Sequence, residues 1–105
     1  MAILQQITLA KSGSAFEDQL ECQDALNTSI DSPDVVSGIL TALANEDFTL
    51  TEKTFDAVAQ TMVIKRTWDE DAYNTFATAQ SAIRAIAKSN AEADGWTTTE
   101  SVETV

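Results

Sequence analysis

Apolar positions recur along most of this chain at spacings that suit helices, and the clearest run extends from Thr67 to Gly95. At about 100° per residue, Trp68, Ala72, Phe76, Ala79, Ile83 and Ile86 fall within roughly 80° of one another, with Glu70, Arg84 and Lys88 opposite. The spacing predicts one long amphipathic helix, opened by a capping box at Thr67-x-x-Glu70 and closed by a left-handed Gly95.

The remaining windows follow the same logic. Ile3, Leu4, Ile7 and Ala10 fit one face of a short helix over residues 2–11, which stops at Ser12-Gly13. Ser14-x-x-Glu17 opens a second helix with Phe16, Leu20, Leu26 and Ile30 on one side. Ser32-Pro33 starts a third, because Pro at the first helical position gives up an N–H that would be unpaired anyway. Val35, Val36, Ile39, Leu40 and Leu43 make its apolar side broad enough for burial between two neighbours, and Gly38 allows a close approach. After a loop at Asn45-Glu46-Asp47, Thr49-x-x-Glu52 caps a fourth helix with Phe55, Val58, Ala59, Met62 and Val63 inward. Trp96 to Val105 is Thr-rich and acidic with no helical period, and reads as a mobile tail. The expected architecture is all-α: a helical domain of four or five helices over residues 1–95 and a flexible tail over 96–105. Its expected core holds Phe16, Leu20, Ile39, Leu43, Phe55, Val58, Met62, Phe76, Ile83 and Ile86.

Composition narrows the functional classes. A chain of 105 residues makes one domain. Seventeen acids against six bases and no His give a net charge of −11. Such a field repels phosphate, so direct nucleic-acid or anionic-membrane binding is not expected. No apolar run reaches spanning length and no basic segment precedes an apolar one at the N-terminus, so neither membrane anchorage nor secretion is expected. The single Cys22 has no partner for an internal disulfide.

The chemistry-bearing residues are sparse. Without His, the usual triads, a neutral-pH imidazole base and His-ligated metals are all ruled out. Cys22 lies beside Glu21 and near Asp24, a setting that raises a thiol pKa, and the three glycines stand too far apart for a phosphate loop. Asp31, Asp34 and Asn45-Glu46-Asp47 carry oxygens without the spacing of a calcium loop. The expectation is a protein that is not an enzyme, with no cofactor and no metal.

Contact surfaces are the alternative to chemistry. Glu17, Asp18, Glu21 and Asp24 gather on one side of the second predicted helix with no base between Lys11 and Lys53 to neutralise them. Lys65, Arg66, Arg84 and Lys88 form a basic counterpart, and Trp96 follows a helix end as either a cover for the last turn or a docking anchor. Glu17, Asp18, Glu21, Asp24, Arg84, Lys88 and Trp96 are therefore the candidate partner-binding residues. Acidic and basic faces meeting head to tail suit a homo-oligomer.

A short N-terminal helix, Ser14-Ala15-Phe16-Glu17 opening the next, a helix over Thr51 to Lys65 and a long terminal helix together resemble the small helical structural proteins of tailed bacteriophages. The resemblance implies a structural or assembly component that contacts protein partners such as other virion subunits, located in a virion or the host cytoplasm. The alternative is an acidic nucleic-acid mimic that fills the groove of a basic DNA- or RNA-binding protein.

Overall fold

The computed structural model describes residues 1–105 and contains a four-stranded sheet, which corrects the all-α expectation. In chain order the elements are β1 (Ala2–Lys11), α1 (Gln19–Ile30), α2 (Pro33–Ala44), β2 (Phe48–Asp56), β3 (Thr61–Asp69), α3 (Glu70–Ala79), α4 (Ser81–Ala93) and β4 (Trp96–Thr104). The strands lie in the order β2-β3-β1-β4, and every neighbouring pair is antiparallel. The chain thus runs strand, helix pair, strand, strand, helix pair, strand. One sheet face is covered by helices, and the other carries a Thr-rich surface that includes Thr8, Thr61, Thr67, Thr97 and Thr99. An antiparallel sheet tolerates such a solvated face.

Period two explains the strands once the inward positions are known. Ile3, Gln5, Ile7 and Leu9 of β1 face the helices beside Trp68, Arg66, Ile64 and Met62 of β3. On β2, Phe48 and Leu50 pair with Trp68 and Arg66, whereas Lys53 and Phe55 pair with Ile64 and Met62. A bulge at Thr51 switches the parity between the two halves, and its hydroxyl donates to the Lys65 carbonyl at 3.1 Å. The residues expected to form a fourth helix are therefore a hairpin, and Val58, expected in the core, sits at its turn 97% exposed. Trp96 to Thr104 is not a tail: it forms β4 along the edge of β1.

The long helix is three pieces. Thr67 to Asp69 ends β3, and Asp69 rather than Thr67 caps α3, its carboxylate accepting from the Ala72 N–H at 3.1 Å. Gln80 interrupts the helix, so α4 presents Ala87 and Ala91 inward and leaves Ile86 61% exposed. Gly38 lets the Gln80 side chain lie against α2, where an added Cβ would come within 2.9 Å of it. Ser14 and Phe16 do not open α1. Ser14 Oγ and the Phe16 N–H both donate to Gln60 Oε1, at 3.1 and 2.7 Å, which pins this loop to the β2–β3 turn. Asp18 caps α1 instead, accepting from the Glu21 N–H at 2.9 Å. Ser32-Pro33 does begin α2, and Gly95 closes α4 with φ +90°.

The core falls into two clusters. One gathers Ile3, Ala42, Phe48, Trp68 and Tyr73 at the α3 end of the sheet. The other gathers Leu9, Cys22, Leu26, Ile30, Met62, Ile64, Ala87, Ala91 and Trp96 beneath α1 and α4. Of the expected core only Met62 is fully buried; Phe16, Ile39, Phe55, Phe76 and Ile83 are half-buried, and Leu20 and Leu43 are exposed with Val58 and Ile86. Leu43 is exposed because α2 is covered on one side only, with Val36 and Leu40 also open to solvent.

Candidate ligand cavity

Small side chains on α4 leave room above the sheet. Ala87 and Ala91 face Ile7, Leu9 and Ile64, and Leu26, Ile30 and Val35 close the far wall. The resulting cavity holds about 440 Å³. Ten of its sixteen lining residues are hydrophobic, and its rim is formed by exposed Ser81, Ala85 and Lys88 of α4 with Thr99 of β4. That volume lies within the ~300–1,000 Å³ common for small-molecule sites.

One end of the cavity is polar, and its polarity comes from inward positions of strands. Glu100 of β4 pairs with Ile7, and Arg66 of β3 pairs with Gln5. Gln5 is 1% exposed and fully engaged: its Oε1 accepts from Trp68 Nε1 at 2.8 Å, and its Nε2 donates to Glu100 Oε2 at 2.7 Å. Glu100 Oε2 also accepts from the Arg84 guanidinium, which lies over the Phe76 ring at 5.6 Å. Arg66 has far less. Its guanidinium reaches Gln5 Oε1 only at 3.4 Å, lies over the Phe48 ring at 5.4 Å, and has no carboxylate in salt-bridge range.

Burial, then the charge of Arg84, lowers the Arg66 pKa to about 10, and Glu100 offsets only part of this. Lys53 is also pulled below its ordinary value, first by burial and then by Arg66. Burial pushes the Cys22 thiol up, which makes it a poor nucleophile. Four of the six bases (Lys53, Arg66, Arg84 and Lys88) therefore lie on the helix side of the sheet or at the cavity rim, while only Glu100 among the acids is paired with any of them. The helix-covered side of the sheet in this strongly acidic protein is locally cationic.

The candidate partner-binding residues separate into three places. Arg84 and Lys88 line the cavity. Trp96 is a buried core residue, stacked on Phe16 at 5.9 Å, with its Nε1 donating to Ser29 Oγ at 2.9 Å. It covers the end of α4 and offers no exposed anchor. Glu17, Asp18, Glu21 and Asp24 are exposed, but Asp18 caps α1 and Glu21 Oε2 accepts from the Glu17 N–H at 3.1 Å, so two of the four stabilise a helix start. Gln5 and Glu100 escape sequence reasoning because residues 2–11 read as a helix and 96–105 as a tail, so neither segment is assigned a strand parity. Their signal is register: both occupy inward parity.

No family model and no curated protein matches the chain. It is similar to the de novo designed protein LFR1 1 with a ferredoxin fold, solved by solution NMR, at a TM-score of 0.51 and 13% identity over 100% of this chain and 87% of that one. The chain has a ferredoxin-like fold. Here each crossover contains two helices, and the likeness extends to the fold alone. No helix is long and apolar enough to cross a membrane.

Proposed function

We propose that this ferredoxin-like domain is a non-catalytic binding protein whose cavity receives a small, mostly apolar molecule. The supporting observation is the 440 Å³ space lined by Ile7, Leu9, Leu26, Ile30, Ile64 and Ala87, open between α4 and β4. Burying apolar ligand surface there gains about 25 cal/mol per Å² before the cost of immobilisation. Titration with the neutral fluorophore N-phenyl-1-naphthylamine tests the reading. Emission rises on saturable binding to the wild type and is markedly weakened by Ala87→Leu, whose side chain projects into the space. Equal emission from both proteins refutes it.

A second reading, contact with protein partners, rests on the exposed Val36, Leu40 and Leu43 of α2. If α2 joins two copies, light scattering gives a dimer mass for the wild type and a monomer mass for Leu40→Glu. A monomer in both cases removes self-association through α2.

A further inference from the structure

The polar end of the cavity contains more positive charge than its own carboxylate neutralises. Arg84 and Lys88 line the space, and Arg66 lies beside it across Gln5 and Glu100. Glu100 is the one acid in salt-bridge contact with any of the three. Its carboxylate occupies the place an anionic ligand group would take, since one oxygen accepts both from Arg84 and from Gln5 Nε2 at the end of an otherwise apolar space. Resting on the cavity reading above, we propose that the cavity selects apolar molecules ending in a carboxylate, and that Glu100 is an internal competitor for the same cationic site.

The exchange is electrostatically balanced. An incoming carboxylate pairs with Arg84 and Lys88, whose positions four residues apart place them on one face of α4. The displaced Glu100 carboxylate moves toward Arg66, which has no acid partner of its own. Each guanidinium then holds one carboxylate, an arrangement that Arg geometry favours. β4 is an edge strand, paired with β1 alone, so Glu100 can change rotamer without disturbing a second ladder. Gln5 stays fixed by Trp68 Nε1 and serves either arrangement.

Decanoate and 1-decanol, matched in chain length and different in headgroup, form the test, with calorimetric titration of each into wild type and Glu100→Gln. Wild type binds decanoate more tightly than 1-decanol. Glu100→Gln, which keeps the shape and removes the competing charge, raises the preference for decanoate over 1-decanol about tenfold. An unchanged or lower preference for decanoate in the variant, with 1-decanol still bound by both proteins, overturns the role of Glu100 and leaves the cavity reading intact. Failure of both ligands to bind wild type overturns the cavity reading itself and the inference with it. Should the variant fold poorly, wild type alone decides the point. The Arg84 side-chain Nε–Hε resonance shifts on adding decanoate and not on adding 1-decanol; the same shift with both, or with neither, contradicts a carboxylate site at Arg84.

Discussion

The two halves of the space between sheet and helices are filled in opposite ways. At the α3 end Trp68 is surrounded by aromatic rings: Phe48 at 4.7 Å, Phe76 at 4.7 Å and Tyr73 at 5.6 Å. Beneath α4 the corresponding positions are Ala87 and Ala91, and space remains over Ile7, Leu9 and Ile64. Between them runs a polar layer of Arg66, Gln5, Glu100 and Arg84. The contrast divides the labour of a small domain. Large rings around Trp68, and Trp96 stacked on Phe16 at the opposite end, supply dense packing, while the stretch between them beneath α4 stays unfilled.

The sharpest way to break this contrast is to truncate the filled half. Trp68→Ala should cost about 3–5 kcal/mol in denaturant unfolding, because the cavity it leaves is walled by rings that cannot collapse inward. Filling the open half should do the reverse: Ala87→Leu should be neutral or stabilising by about 0.5–2 kcal/mol. A loss above about 1 kcal/mol would mean that the space beneath α4 is already occupied by packed side chains.

The polar layer is expected to detract from stability. The Arg66 pKa falls to about 10 in the folded chain, below its ordinary value, so between the folded and unfolded values the unfolded chain binds more protons and stability rises with pH. At neutral pH the cost of burying the charge is therefore fully present. Arg66→Met should be more stable than wild type at pH 7, by on the order of 1 kcal/mol. A less stable variant would show that the guanidinium contributes more through Gln5 and Phe48 than its burial costs.

The smallest effect lies at the surface edge of the open half. Asp94 is held below the usual carboxylate range, first by the Ser29 hydroxyl and then by Lys11, whose Nζ lies 3.4 Å away. A depressed carboxylate contributes stability above its unfolded pKa and loses it as pH falls through the folded one. The difference in melting temperature between wild type and Ser29→Ala should therefore shrink as pH drops below about 4. A pH-independent remainder should persist, because Trp96 Nε1 also loses its acceptor.

The residues that make the polar layer are also those that hid the sheet from the sequence. β1 alternates inward as Ile3, Gln5, Ile7, Leu9, and the Gln at the second inward position leaves Ile3, Leu4, Ile7 and Ala10 as the more persuasive pattern. β3 alternates as Met62, Ile64, Arg66, Trp68, where Arg66 breaks the run in the same way. In β2 the Thr51 bulge changes parity midway, so no single period fits the strand. β4 directs Trp96, Thr98, Glu100 and Val102 inward, and its polar members make an edge strand look like a tail. Local agreement fails most where an inward strand position carries a polar side chain, as at Gln5, Arg66 and Glu100. By contrast α2 was legible from Ser32-Pro33 onward, and Gly95 marked the end of α4, because these signals act through the backbone alone. Arg66, Arg84 and Lys88 stood out in the sequence as a basic group; that they converge on a cavity depends on strand pairing across more than sixty residues, which no local pattern encodes.

The most direct test of the contrast between halves is a methyl-resolved NMR titration of the wild-type protein with 1-decanol. Signals from Ile7, Leu9, Leu26 and Ile64 should shift in a saturable manner, while those from Ile3 and Ile39 beside the Trp68 cluster stay in place. Shifts spread equally over both sets, or confined to the exposed Val36, Leu40 and Leu43 of α2, would contradict a binding cavity beneath α4.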